Sequence, residues 1–542
     1  MKKLWLNISI FFGCFLVLVT CLGAVLVLAP GMELLGVMFI RHTSGAVNAV
    51  EEVTDATGYS SIYVKCDNAP VNVQFVQSFS FTANLVERYD GFAKAAEEPT
   101  VKLSASRGDI LVESSEYKPF LAHTRGKDTG LIIKVPIYYT HRLTIEANTS
   151  DITFSGGAAN LSEVIIKTRG GINVKNELGV RRFVIDAGAK NITLGDSVNV
   201  ESSLSVTSTS GDLTLPKNHE THVDFKSVSG DLYLNTCGYL KFTSSTGKIK
   251  KLGDELPQIF GDIEIETSSD VALADVHGYA KINTKNGDLT IGTEDSVISG
   301  KLTITTKSGK VKIGGKITNR ENKITTTSGD VILDSVRDVN ITTKYGNISI
   351  EEVEFAKITS KSGNVEIKTL TKGSEIKTNN GDVSIGSGEE SVASQSTIST
   401  IGGDIKVSNA QTGEYIISSS TGNVMFSQQE GSEVNLDVKS KIGDVSVGNA
   451  SGKINLETKG SINIKIIKML GEINIKGGNN DVQVVYEDNC YFDVTSKKYL
   501  KDLPGMKEKS KTYSNVPKNA VESQIVTIST NKGAVIIENN FE

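Results

Sequence analysis

Few residues of this chain combine a chemically useful type with a useful spacing. His219-Glu220-Thr221-His222 offers two imidazoles that could ligate a metal. No third ligand lies nearby and no helix is indicated, so the segment reads as a polar loop. Arg107-Gly108-Asp109 is an integrin-type tripeptide, but Ser104 to Val112 fits the chain's own repeat, and a repeat turn is the preferred reading. Asp recurs after turn glycines and could attract Ca²⁺. The glycine-rich nonapeptide of calcium-binding β-rolls is missing and the coils are too long, which leaves only weak adventitious cation binding. Neither G-x-x-x-x-G-K-[ST] nor G-x-S-x-G appears, and Gly247-Lys248 and Gly309-Lys310 are repeat turns. A polysaccharide lyase or hydrolase needs Asp, Lys or Arg clustered on one face. Here the acids sit in turn positions in nearly every coil and read as structural. Tyr345 and Phe242 are candidates for stacking a sugar ring, against an ordinary packing role. No catalytic, cofactor-binding or metal residue is therefore assigned, and no cofactor is expected.

The elements that would position such residues follow from composition and periodicity. The 542 residues include 51 Gly, 9 Pro and only 6% aromatics. Abundant Ser, Thr, Asn and Val point to a β protein with many tight turns. With 63 acids against 57 bases the net charge is −6, so no basic surplus exists to neutralise a nucleic acid. Five cysteines, Cys14, Cys21, Cys66, Cys237 and Cys490, show no metal-like spacing and no disulfide framework.

Lys2 and Lys3 precede the uncharged run Leu4 to Ala29. That run exceeds the ~20 residues needed to span a bilayer as a helix. It is also longer than the ~7–15 apolar residues of a signal peptide. Leu18-Val19-Thr20-Cys21 has the outline of a lipoprotein box, but Thr before Cys and the apolar run Leu22 to Leu28 argue against cleavage. The positive amino side predicts an uncleaved anchor with its N-terminus in the cytoplasm. Pro30-Gly31 ends the helix, Leu34 to Ile40 lies at the interface, and the chain after about Arg41 is extracytoplasmic.

A repeat fills most of the remainder. LSVTSTSGDLTL at Leu204, LTITTKSGKVKI at Leu302 and KITTTSGDVIL at Lys323 share one pattern. Its turn glycines are Gly211, Gly230, Gly247, Gly287, Gly309, Gly329, Gly346, Gly363, Gly381, Gly403, Gly422, Gly443 and Gly460, with Ser269 standing in once. The spacings run from 17 to 22 residues. Weaker copies stand at Ser106-Arg107-Gly108-Asp109, Thr149-Ser150-Asp151 and Thr168-Arg169-Gly170. A unit this short cannot bury its own apolar face and must stack on its neighbours. The pattern predicts a single-chain β-solenoid, a parallel β-helix whose turn positions 211 to 460 form a rod roughly 65 Å long at ~4.8 Å per coil. Each turn Gly is expected at φ > 0. Small residues before Gly, such as Ser308, Ser328 and Tyr345's neighbour Ser362, are expected to bond across coils. Two Asp one coil apart repel by about 0.9 kcal/mol in water, and Lys285, Lys307, Lys344 and Lys361 would offset that repulsion.

The predicted organisation is 1–3 cytoplasmic, 4–29 transmembrane anchor, 30–59 juxtamembrane, 60–140 N-terminal cap and first irregular coils, 141–490 regular repeats, and 491–542 C-terminal cap with a polar loop.

LIIKVPIYYTHRLTIEANTSDITFSG at Leu131 and the repeated T-x-SGD-h-x-h resemble the bacterial toastrack domains, a family of unknown function labelled putative adhesins. The likeness covers about residues 60–540. It implies a β-helical ectodomain and transfers no site residues. The reading is a membrane-anchored, single-pass protein displaying a non-enzymatic, adhesin-like surface. Its partners would be the membrane, through the N-terminal helix, and a surface glycan or envelope protein, with no nucleic acid. The alternatives are an accessory or sensor ectodomain in envelope-stress signalling and a carbohydrate-active β-helix enzyme.

Overall fold

Alternation of apolar and polar residues builds the coils. Strand Ser61–Cys66 buries Ile62, Val64 and Cys66 and turns Tyr63 and Lys65 outward. Strand Val434–Ser440 does the same with Val434, Leu436, Val438 and Ser440. The computed structural model describes residues 15–17, 31–34, 37–42, 47–94, 99–116, 119–126, 129–217, 219–386, 394–499, 507–509 and 511–540. These form two units, Met1–Tyr233 and Leu234–Glu542. Both are all-β solenoids.

Most of the expected anchor 4–29, with Cys14 and Cys21, lies outside the described residues. Among the described residues no helix is long and apolar enough to cross a membrane. The next segment is extended. Gly31–Leu34 and Val37–His42 pair antiparallel, and Val37–His42 pairs in turn with Tyr89–Lys94.

In the first unit, strands Arg142–Ala147, Ala159–Thr168, Leu178–Ala187, Val198–Ser208 and His222–Ser227 stack parallel and in register. Their inward residues form a column: Val64, Ile145, Ile166, Ile185, Val206 and Phe225. A second ladder joins Val71–Val76, Ile152–Gly156, Ile172–Val174, Ile192–Leu194 and Leu213–Thr214. The chain does not enter this stack from its outermost strand. Ser61–Cys66 lies between Arg142–Ala147 and Asp109–Ser115, both parallel to it. Val71–Val76 likewise lies between Ile152–Gly156 and Gly130–Pro136. Antiparallel strands then close the edges, Thr100–Ser106 on one ladder and Phe81–Glu87 with Val47–Val53 on the other. Ser106-Arg107-Gly108-Asp109 is therefore the tip of an antiparallel hairpin, with φ 54° at Arg107 and 87° at Gly108. It is not a coil turn, contrary to the repeat-based expectation.

The second unit carries a longer inward column. Phe242, Ile265, Ile282, Ile304, Ile324, Ile341, Ile358 and Ile376 follow one another in register. Ile398, Ile417, Val438, Leu456 and Ile475 continue it. All are buried, each worth ~1.5–3 kcal/mol relative to exposure. Ile528 comes next and Val494 after it, out of chain order. Strand Ile525–Thr530 is inserted between Ile473–Gly477 and Tyr491–Thr495, and Ala534–Asn539 between Val482–Tyr486 and Lys498–Tyr499. An antiparallel pair, Lys507–Lys509 with Thr512–Ser514, lies outside them.

The turn glycines stack as expected, but for another reason. None of Gly287, Gly309, Gly329, Gly346, Gly363, Gly381, Gly403, Gly422, Gly443 and Gly460 has a positive φ. A Cβ on Gly329 would lie 1.8 Å from the carbonyl oxygen of Gly309, and one on Gly346 would lie 2.0 Å from that of Gly329. The same approach recurs at Gly363, Gly381, Gly403, Gly422 and Gly443, each against the glycine one coil earlier. Glycine is required because the backbone of the preceding coil occupies the space of a side chain. The geometry suits a weak Cα–H···O=C contact between coils.

Gly329→Ala should accordingly cost roughly 1–3 kcal/mol, because the obstacle is backbone that cannot step aside. Hydrogen exchange should rise in the coils around Ser308 to Gly346 while distant coils stay protected. Unchanged protection in this variant would refute the steric reading.

Candidate functional surface

The turn chemistry decides what the recurring acids and hydroxyls can do. Three residues before most turn glycines stands an inward hydroxyl, and before Gly460 it stands two residues ahead, at Thr458. The N–H of Gly309 donates to Thr306 Oγ1 (3.1 Å), that of Gly329 to Thr326 Oγ1 (2.9 Å) and that of Gly363 to Ser360 Oγ (3.0 Å). Ser208, Ser227, Thr343 and Thr400 serve their glycines alike. These hydroxyls are buried. The residue directly before Gly also bonds across coils in places. Ser308 Oγ donates to Asn286 Oδ1 (3.1 Å), and Ser328 Oγ to Lys307 O (3.3 Å).

The residue after Gly forms an Asp/Asn ladder. Asp330 Oδ1 accepts the N–H of Asn347 (2.8 Å), and Asn347 Oδ1 accepts that of Asn364 (3.0 Å). Asn364 serves Asp382, Asp382 serves Asp404, Asp404 serves Asn423 and Asn423 serves Asp444. In the first unit Asp151 Oδ1 accepts from Gly171 (2.7 Å) and from Lys190 Nζ (2.8 Å). Each acid is thus satisfied by the next coil's backbone. Among the described residues Lys285, Lys307, Lys344 and Lys361 form no direct ion pair with the acidic column. Lys248 Nζ does lie 3.5 Å from Asp270.

Outward faces carry cross-coil ion pairs. Glu264 lies between Lys241 (3.3 Å) and Lys281 (3.0 Å). Hydrogen bonds from Lys281 and Lys241 hold its carboxyl below the usual range. Glu354 lies between Arg337 and Lys372, and Glu375 pairs with Lys357 across coils and with Lys377 on its own strand. Such pairs are exposed and individually worth little.

The residues singled out in the sequence scatter. Asp109 Oδ1 accepts from Ser61 Oγ (2.6 Å) and Ser60 Oγ (3.4 Å), so the tripeptide's carboxylate is engaged by its own chain. His219 is buried rather than in an open polar loop, with Thr221 Oγ1 3.3 Å from its Nε2, and His222 begins an adjacent strand. Among the described residues no group of three or more His, Cys, Asp or Glu could hold a metal. Tyr345 is 55% exposed, but Phe242 is fully buried in the aliphatic column and cannot meet a sugar. Its inward place follows from the period-two register of Tyr239–Ser244. Cys66 and Cys237 are buried, Cys490 is half-buried, and none of the three forms a disulfide.

Two features were missed in the sequence. Exposed Phe260 stacks on His277, ring centroids 6.4 Å apart. Glu163 bridges Arg142 and Arg182, the three in register on successive strands. Opposite charges recurring near the repeat period were the available signal for this triad.

A family model described as Toastrack DUF4097 matches residues 109–291, 261–386 and 369–538. The chain belongs to this family. Two solved structures are similar to the toastrack chain. A "putative cell adhesion protein" from Clostridium sporogenes is 11% identical with TM-score 0.21, covering 46% of this chain and 99% of its own. A "putative adhesin" from Parabacteroides merdae is 11% identical with TM-score 0.15, covering 69% of this chain and 95% of its own. No curated protein matches.

Two outcomes follow for the toastrack chain. Asp330→Asn keeps the acceptor for Asn347 and should be near neutral, whereas Asp330→Ala should cost about 1 kcal/mol. Equal stabilities in urea titrations would contradict the ladder's role. Burial lowers the His219 pKa from 6.5 to about 4. The unfolded chain then binds more protons between those values, so stability should fall as pH drops from about 6.5 towards 4. His219→Gln should flatten that slope in pH-dependent melting, and an unaltered slope would assign it elsewhere.

Proposed function

We propose that this chain is a non-enzymatic, adhesin-like scaffold, tethered to the cell membrane by Leu4 to Ala29, with its solenoid outside the cytoplasm. The observation that carries the non-enzymatic reading is the Asp/Asn ladder. The chain's most regular acids, from Asp330 to Asp444, each bond the backbone of a neighbouring coil. They are spent on holding coils together, whereas general acid–base work needs a carboxyl facing substrate. Membership of the toastrack family is consistent with a binding or structural role. The uncharged run of the first 29 residues supports the tether.

The full chain should fractionate with membranes, keep residues 1–29 and be cut by protease added outside the cell. Immobilised protein should retain a surface glycan on an array or an envelope protein in a pull-down. A mature N-terminus at Cys21 or beyond Ala29 would overturn the tether. Turnover of any captured polysaccharide would overturn the non-enzymatic role.

A further inference from the structure

One corner of the first unit places an arginine without an ion pair beside a row of paired charges. On strands Arg142–Ala147, Ala159–Thr168 and Leu178–Ala187, Arg142, Glu163 and Arg182 occupy one row. Glu163 is 8% exposed and accepts from Arg142 Nε (2.6 Å) and Arg182 Nη1 (2.9 Å). Arg181 has no such partner. It is exposed, and among the described residues it makes no ion pair or hydrogen bond. Its neighbour on one side is Ser162, since Leu161 pairs with Val180 and Glu163 with Arg182. On the other side the register slips, because Val180 pairs with Val200 but Arg182 with Ser203. This bulge leaves Glu201 and Ser202 opposite Arg181 on the next strand, and Glu201 forms no ion pair with it. Arg181 and Arg182 are both exposed although consecutive, which marks a corner of the coil rather than a flat face.

The corner is a groove of about 580 Å³, a size usual for small-molecule sites. It holds three guanidiniums, from Arg142, Arg181 and Arg182, and two carboxylates, from Glu163 and Asp109. Both carboxylates are already engaged, Glu163 by two arginines and Asp109 by Ser61. The groove therefore carries one surplus positive charge on a chain whose net charge is −6. The remaining lining is hydroxyl, from Ser60, Ser61 and Ser162. No apolar side chain lines it.

We propose that this groove binds acidic saccharides, with the sugar carboxylate taken by Arg181. A planar guanidinium with free donors matches a carboxylate in a bidentate geometry. A lining of hydroxyls and charges matches a polyhydroxylated ligand and offers nothing to the apolar side chains of a peptide or to a lipid. The inference deepens the adhesin-like reading and rests on it for its biological sense.

The test is calorimetric titration of the full chain in neutral detergent micelles. The probes are trigalacturonate, neutral galactotriose, hexaglutamate and inorganic phosphate. Trigalacturonate should bind, the neutral trisaccharide should not, and Arg181→Gln should weaken binding at least ten-fold. Arg181→Lys should fall between, because it keeps the charge but loses the fork. Arg320→Gln, whose arginine lies 3.7 Å from Asp338 in the second unit, should bind as the parent does. Because Arg181 is exposed, its variants should melt with the parent. The proposal fails if trigalacturonate does not bind, if Arg181→Gln binds it unchanged, or if the neutral sugar binds equally. It fails too if hexaglutamate or phosphate binds as tightly. A failed titration leaves membrane fractionation and surface capture untouched, so the wider reading stands or falls separately.

Discussion

The approach of a turn carbonyl to the glycine of the next coil governs the second unit. From Gly287 to Gly443, successive glycines leave no room for a side chain beside the carbonyl one coil earlier. That contact fixes which residue of one coil lies beside which residue of the next. A slip of one residue would push Ser328 or Asp330 into the space Gly329 leaves, and would turn every inward Ile of the column outward. Local backbone contact and aliphatic burial thus specify one register. The coil lengths of 17 to 22 residues can vary because the extra residues leave through the other bends.

An in-register stack also multiplies whatever charge it carries, since like residues come to lie one coil apart. Two devices manage this. In the turns, Asp Oδ1 takes the neighbouring N–H, so a carboxylate is stabilised by a backbone dipole and Asn can replace it without loss. On the faces, sign alternates: Lys241, Glu264 and Lys281 in one unit, Arg142, Glu163 and Arg182 in the other. The lysine pairs around Glu264 are exposed and contribute little stability each, whereas Glu163 is buried between its two arginines. Both prevent rows of like charge, which would favour a shifted stack.

The repeat was legible because stacking imposes the same side-chain alternation on every coil. The turn positions, the solenoid class and the inward residues could be read from Thr/Ser-Gly-Asp and its flanking alternation. The reason for glycine was not legible. Positive φ and close approach leave the same residue in the sequence, and only the position of the Gly309 carbonyl separates them. Similarly, Ser/Thr abounds throughout the turn, so composition could not show that Thr326, not Ser328, caps Gly329. Phe242 stayed a candidate for stacking beside its preferred packing role only because its period-two place, which turns it inward, was not applied to it. The Arg142–Glu163–Arg182 row required knowing which strands are neighbours. The hairpin at Arg107-Gly108-Asp109 escaped because antiparallel and parallel turns share Gly and Asp.

The least legible feature is the way each unit finishes its ladders. A parallel coil ends in unpaired N–H and C=O groups that invite a further strand. In the first unit the chain lays down Ser61–Cys66 and Val71–Val76, then leaves to build strands outside them before returning at Arg142. In the second it leaves after Val482–Tyr486, builds strands beyond, and returns so that Ile525–Thr530 and Ala534–Asn539 fill the gap. In both cases a coil of ordinary sequence is enclosed on two sides, and the outer layer turns antiparallel. An antiparallel strand no longer presents the parallel register on which another coil could stack. The hydrophobic pattern of VTIST at Val526 is that of any other coil, which is why the sequence does not reveal its neighbours. Its place depends on pairing with residues some fifty positions earlier, Ile473 with Val526 and Val482 with Val535. The order of strands in space is a property of long-range pairing, whereas the periodicity of the sequence reports only that each strand has an inside and an outside.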